Sequence, residues 1–248
     1  MNKKVSILTA TWNKEEQLRN YLYGIKRQKT DFAFELCIID DHSDVSPLSI
    51  IKEVVPFGDI KYKRLAKHSA FNKTQGLGLD LVSKDSDVIV LIGADIILTR
   101  DNDLQKLVDG VGDKTFTLAE VVDIPIFCDF YNDFAISTEL ILDNWENYIK
   151  TIDLPIGERI YGNQRTLYTG KKWDSWLLFC GAIRKEDLLS IGFLENSCDA
   201  VLKYKMQEQK LTGVLLSEVK AIHQRHIKKT YVCPDIETCK YHCIRKLK

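Results

Sequence analysis

Two apolar runs that stop on acids decide the fold: Ile38-Ile39-Asp40-Asp41-His42-Ser43 and Val88-Ile89-Val90-Leu91-Ile92-Gly93-Ala94-Asp95. Runs this short and this apolar mark strands buried on both faces, as in a mostly parallel sheet covered by helices. Open α/β sheets bind their ligands where such strands finish, and carboxylates on that rim suit a divalent cation or the polar edge of a nucleobase. The two acidic stops therefore predict a nucleotide-handling site.

Working outward, Val5-Ser6-Ile7-Leu8-Thr9-Ala10 reads as the first buried strand. Asn13 and Glu16 have the spacing of a capping box, and Leu18, Tyr21, Leu22 and Ile25 then recur at helical spacing. Phe34 to Asp40 returns as a second strand, which makes the opening unit a βαβ crossover. Ser46-Pro47 is a cap and first-turn pair for a helix through Ile50, Ile51 and Val54, and Ile60 to Leu65 reads as a third strand. The polar stretch Lys67 to Gln75 leads into a helix over Gly76 to Val82, and a fourth strand runs from Asp87 to Ala94. This is a regular α/β alternation.

Beyond Asp95, Leu104, Leu107, Val108 and Val111 predict a short helix, and Phe116 to Val122 a strand. Pro125 to Trp176 is rich in aromatic and turn residues; its part from Leu154 to Lys172 reads as a loop long enough to serve as a mobile cover over a cleft. Regular structure resumes at Leu177 to Ile183, with a helix over Lys185 to Ser190, a turn through Ile191 to Glu195, and a helix from Asp199 to Gln209. A strand from Val214 to Ile222 then delivers His223 to its end, ahead of a basic tail.

With 248 residues, 45% of them hydrophobic, the chain supports one sizeable domain. Its 35 basic and 35 acidic residues cancel, so no overall field draws it onto nucleic acid, and no nucleic-acid partner is expected. The N-terminal residues lack the apolar core of a signal peptide, and no apolar stretch approaches the roughly 20 residues of a membrane span, so a cytoplasmic location is expected. Of the 7 cysteines, Cys37, Cys128 and Cys180 lie in apolar runs and read as reduced core residues. Cys233, Cys239 and Cys243 near His242 match no zinc-site spacing.

The blocks in this order resemble the inverting GT-A glycosyltransferases of the family-2 type. Val5 to Asn13 is similar to that family's first strand and Tyr-Asn turn, and Glu35 to Ser43 to its Asp-Asp-x-Ser motif. Gly78 to Asp95 resembles the helix and strand leading to Asp-x-Asp, and Leu178 to Glu195 resembles the acceptor-side block ending in Gly-Phe-Asp-Glu. The resemblance implies a single GT-A domain over 1–248, with a nucleotide-sugar-binding half at 1–100, an acceptor-binding half at 101–223 and a basic tail at 224–248.

It also implies roles. Asp41 would read the nucleobase, since an ionised Asp accepts the imino N–H of uracil, with Ala10 and Trp12 flanking the base. Asp95 aligns with the last acid of Asp-x-Asp, which holds Mg²⁺ or Mn²⁺ against the donor diphosphate. Gly93 stands where the first acid would be, leaving one carboxylate; phosphate oxygens and waters can complete an octahedron around such an ion. His223 resembles a late histidine ligand, and Arg64 and Lys73 are candidates for stabilising leaving-group charge.

Asp199 is the candidate base, with Glu195 second. Trp173, Trp176, Tyr161 and Tyr168 are candidates for stacking on an acceptor sugar. The implied activity is inverting transfer of a sugar from a nucleoside diphosphate donor, a UDP-sugar by family habit, to a hydroxyl of a glycan or other acceptor, as in polysaccharide biosynthesis. The basic tail is a candidate for peripheral contact with an anionic membrane. A GT-A fold that has lost catalysis and serves as a sugar-nucleotide or glycan binding or assembly subunit is the alternative, prompted by Gly93. A dinucleotide-dependent oxidoreductase is excluded because no GxGxxG follows the first strand.

Overall fold

The computed structural model describes residues 3–55, 58–69, 71–126, 180–193 and 199–226. The chain begins as β1 (Val5–Thr11), α1 (Glu15–Lys26), β2 (Phe34–Asp40), α2 (Leu48–Val54) and β3 (Asp59–Arg64). It continues through α3 (Phe71–Gly78), a 3-10 turn at Leu79–Leu81, β4 (Val88–Ile92), β5 (Ile96–Leu98), α4 (Asp103–Asp109) and β6 (Thr115–Ile126). The last described elements are β7 (Cys180–Arg184), α5 (Lys185–Ser190), α6 (Asp199–Glu208) and β8 (Thr212–His226).

Among the described residues, eight strands form one sheet in the order β3-β2-β1-β4-β7-β6-β8-β5. β1 is parallel to both β2 and β4, β2 to β3, and β6 to β8. β7 is antiparallel to β4 and β6, and β5 is antiparallel to β8. The expected α/β fold with a mostly parallel sheet is therefore found. The chain steps from β1 through β2 to β3 on one side and then places β4 on the other side of β1. That reversal is a topological switch point, where adjacent loops part and leave a crevice beyond the carboxyl ends of the strands.

Strand alternation explains why the runs read as continuously apolar. Ile7, Ile38, Val90 and Ile92 enter one core with Leu18, Tyr21, Leu22 and Ile51 of the first two helices. Leu8, Cys37, Ile89 and Leu91 point the other way, into a core with Leu188, Phe193, Leu202 and Met206. Both faces are covered, so polar residues have no place along the strand middles. Cys37 and Cys180 are buried free thiols, as expected; burial, helped by the Glu35 charge, pushes Cys37 up to about 12.

At the amino-terminal edge of the sheet the polar residues form a cluster of their own. Glu35 accepts hydrogen bonds from Ser6 Oγ at 2.6 Å, from Ser83 Oγ at 2.6 Å and from Lys61 Nζ at 2.6 Å. Ser83 also donates its backbone N–H at 2.7 Å, so a nearly buried carboxylate is fully satisfied.

Several boundaries differ from expectation. α3 begins at Phe71, five residues ahead of the predicted Gly76, because its close seat on β1 and β2 comes from packing. A Cβ on Gly78 would stand 2.7 Å from Leu8 Cδ1 and 3.0 Å from Ile39 Cγ2. β5 was unforeseen: three residues carry no period, and the strand exists through its pairing with β8. Residues 224–226, assigned to the tail, extend β8 alongside β6. The 154–172 stretch, Tyr161, Tyr168, Trp173, Trp176, Glu195, Cys128 and the basic residues after His226 lie outside the described residues. Among the described residues no helix is long and apolar enough to cross a membrane.

Candidate functional site

The site is built from the loops that follow β1, β2, β3 and β4 on one rim of the sheet. Asp41 N–H donates to Thr11 O at 2.9 Å and Leu65 N–H to Asp40 O at 2.8 Å, so the ladder runs one residue past the strands before the loops open. Asp40 is fully buried and organises the turn after β2. Its Oδ1 accepts from Ser43 N–H at 2.9 Å and Ser43 Oγ at 2.6 Å, and its Oδ2 accepts from Tyr62 Oη at 2.9 Å. Burial, with the Asp40 carboxylate beside it, pushes the Tyr62 hydroxyl up, against the bond from Ser46. His42 takes a left-handed conformation (φ 65) in this turn, which leaves the preceding Asp41 facing the crevice.

The loop after β1 is locked to it. Asn13 adopts φ 49, donates its backbone N–H to Ser43 Oγ at 2.9 Å, and exchanges two side-chain bonds with Asp44. This replaces the capping box predicted from Asn13 and Glu16: α1 is capped at Lys14 without a side-chain hydrogen bond. Asn13 serves the neighbouring loop instead, because its left-handed backbone turns the side chain away from the helix.

Between these loops lies a cavity of about 300 Å³ lined by Ala10, Thr11, Trp12, Lys14, Asp41, His68 and Thr74. Asp41 is 3% exposed; its Oδ1 accepts from Ser69 N–H at 2.7 Å, and its Oδ2 lies 3.0 Å from His68 Nδ1. The His68 ring in turn packs on Trp12, with centroids 4.4 Å apart and planes at 31°. Trp12 remains 48% exposed, so a large apolar ring faces the cavity mouth beside a buried carboxylate. Apolar area next to a fixed acceptor suits a planar heterocycle that carries an N–H donor.

Across the switch point, Lys14 after β1 meets Asp95 after β4, with Nζ 2.5 Å from Oδ2. Asp95 belongs to a tight turn, closed by Ile96 N–H on Gly93 O at 2.9 Å, that carries the chain from β4 into β5. Its chain neighbour Ile96 is the register partner of His223, so the β5–β8 ladder brings the His223 backbone to the same corner; the His223 side chain lies outside the described residues.

The fit of a divalent ion can be tested on this donor set. Gly93 offers no carboxylate, the Asp95 carboxylate is engaged by an ammonium, and no three His, Cys, Asp or Glu side chains cluster among the described residues. The described residues therefore do not fit a protein-held Mg²⁺ or Mn²⁺, which asks for several oxygen ligands.

The other sequence candidates fall as follows. Ala10, Trp12 and Asp41 share the cavity, and Asp95 joins them through Lys14. Arg64 lies behind it, its Nε 3.5 Å from Asp40 Oδ2 and its guanidinium donating to Ser43 O. Lys73 is exposed on α3, next to the cavity-lining Thr74. Asp199 begins α6, a helix held down by Leu202 and Met206; its side chain is outside the described residues, as is all of Glu195. Sequence reasoning missed Lys14, His68, Asn13 and Asp40. Lys14 and His68 stand in loops that follow strands β1 and β3 and so end on the ligand rim, and that position was the available signal.

The sequence profile of glycosyl transferase family 2 matches residues 6–166. No curated protein sequence matches the chain. In fold it is similar to TarS 1-349 of S. aureus in complex with UDP-GlcNAc, with a TM-score of 0.58 and 15% identity over 94% of this chain and 62% of that one. It is similar as well to the mannosyltransferase PcManGT of Pyrobaculum calidifontis in complex with GDP-Man and Mn²⁺, with a TM-score of 0.57 and 14% identity over 93% of this chain and 59% of that one. GalNAc-T7 with UDP, GalNAc and Mn²⁺ gives a TM-score of 0.59 and 12% identity, over 95% of this chain and 46% of that one. The chain thus spans about three-fifths or less of the length of these structures.

Proposed function

The chain belongs to glycosyl transferase family 2, and on that premise we propose that it moves a sugar from a nucleoside diphosphate-sugar, with uridine as the nucleoside, to a hydroxyl of a glycan or other acceptor, inverting the anomeric configuration. One observation carries the reading: a buried acceptor (Asp41), an exposed aromatic ring (Trp12) and an ammonium (Lys14) converge on one cavity at the switch point of the sheet. At about 300 Å³ the cavity is at the small end of ligand pockets, which run to about 1,000 Å³, and suits the nucleoside half of a donor. Uracil would lie against Trp12, giving its imino N–H to Asp41, with the diphosphate directed toward Lys14 and Asp95.

Asp199 is the proposed base. It would take the proton of the acceptor hydroxyl as that oxygen attacks the anomeric carbon from the face opposite the departing diphosphate, which is what inverts the centre. Glu195 is the second choice. Lys73 and the first-turn end of α1 would balance leaving-group charge, whereas Arg64 supports the reading by fixing Asp40 and the turn that presents Asp41. The PcManGT and GalNAc-T7 structures contain Mn²⁺; for this chain to hold Mg²⁺ or Mn²⁺, Asp95 would have to be released from Lys14.

The same engagement of Asp95, together with Gly93, favours a second reading in which the fold binds a sugar nucleotide without turning it over. Thermal stabilisation by UDP, GDP, CDP and TDP tests the donor site, because a ligand that binds only the folded state raises its apparent stability. UDP should stabilise most, and no response to any of them would remove the reading. Donor hydrolysis abolished by Asp199→Asn, with the fold intact, would separate the enzyme from the inactive binder.

A further inference from the structure

We infer that Lys14 is the cation that the donor diphosphate meets, and that this chain binds nucleoside diphosphates without a divalent metal. The inference rests on the donor site proposed above. Among the described residues that line the cavity, Lys14 alone carries a permanent positive charge. It is held at the cavity mouth by Asp95, the one carboxylate left where a metal-binding pair would need two, and with a 15% exposed side chain Asp95 is well placed to fix it.

An ammonium has three N–H donors, and the bond to Asp95 uses one, so two remain to be shared among phosphate oxygens. A divalent ion at this corner would have to displace the ammonium and would then find, among the described residues, a single carboxylate, whereas a diphosphate completes the shell of Lys14 without displacing it. The first turn of α1 reinforces this: Lys14 is its N-terminal cap, so the positive end of a 12-residue helix faces the same mouth. Asp95 acts here as a positioning residue that aims a fixed cation, a role it performs best with no second acid to recruit a metal.

Binding of UDP and GDP to the purified chain by calorimetry, once in chelator and once in Mg²⁺ or Mn²⁺, tests this. The native protein should bind the preferred nucleotide equally in both. Lys14→Ala should weaken binding by about 10- to 100-fold and flatten its salt dependence, while Lys14→Arg restores most of it and both variants keep the native melting temperature within a few degrees. A loss of fold alone would weaken binding without changing the salt slope of the remainder. Binding that appears only with metal, and that His223→Ala removes, would overturn the inference and leave the donor site standing; failure of every nucleotide under both conditions would remove the donor site itself.

Discussion

Asn13 and Asp44 hold each other across two loops: Asn13 Nδ2 donates to Asp44 Oδ2 at 3.1 Å, and Asp44 N–H donates to Asn13 Oδ1 at 2.7 Å. One loop carries Trp12 and Lys14, the other Asp41, so this exchange sets the width of the cavity between them.

Asn13→Ala loses both bonds and puts alanine, which lacks the polar side chain that eases asparagine into a left-handed conformation, at φ 49. Each defect is worth about 1–2 kcal/mol, and for a domain of this size each kcal/mol lowers Tm by about 2–4 °C. A drop of about 4–16 °C is expected, along with weaker nucleotide binding. Asn13→Gly relieves the backbone but not the lost bonds, so it should recover part of the Tm while binding stays weak. Full affinity in the glycine variant would show that the clamp does not shape the cavity.

Asp41→Asn keeps an acceptor for Ser69 N–H but turns an N–H₂ group toward the base. Losing one charge-assisted hydrogen bond in a buried setting amounts to about 1.5–3 kcal/mol, or about 10- to 100-fold in Kd. Calorimetric titration with UDP measures it, and unchanged affinity would take Asp41 out of base recognition.

Glu35 gives the pH dependence. Burial raises its pKa, but Lys61, Ser6 and Ser83 outweigh it and bring the carboxyl from 4.5 down to about 2. A carboxyl depressed in the folded state contributes stability that is complete above the unfolded value and is lost as pH falls through the folded one. Tm should therefore fall between pH 4.5 and about 2 in the native chain, and less steeply in Glu35→Gln. Parallel profiles for the two proteins would count against this account.

Gly78→Ala tests the seat of α3. Its Cβ would come within 2.7 Å of Leu8 Cδ1 and 3.0 Å of Ile39 Cγ2, so the Leu8 and Ile39 side chains or the helix must shift. Overpacking of this kind costs about 1–3 kcal/mol. A lower Tm is expected, with some loss of nucleotide affinity because Thr74 of the same helix lines the cavity. An unaltered Tm would mean the Leu8 side chain simply rotates aside.

The residues that could be found from the sequence were those whose signal is local. Ile38–Asp41 and Val88–Ile92 announce buried strands through composition alone, and an acid at the end of such a strand has few places to go but the rim. The rim positions of Asp41 and Asp95 were legible for that reason, as were α5, whose ends are marked by charge and turn residues, and the core role of Cys37 and Cys180. Asn13 misled because its spacing to Glu16 fits a cap; the competing partner, Asp44, lies on another loop and has no mark in the local sequence. β5 went unseen because its pairing with β8 is a long-range event.

By itself, the order of apolar and acidic segments determined the alternation of strands and helices, the rim that carries the candidate site and the family to which the chain belongs, since each of these follows from residues close together in sequence. Only the tertiary structure decided that Lys14 faces Asp95, that His68 covers Asp41 beneath Trp12, and that Arg64 serves the turn after β2 instead of the cavity. Those pairings depend on placing β4 beside β1 at the switch point and on the left-handed turns at Asn13 and His42. Strand order and backbone sign are settled by the packing of the whole sheet, and no single segment encodes them.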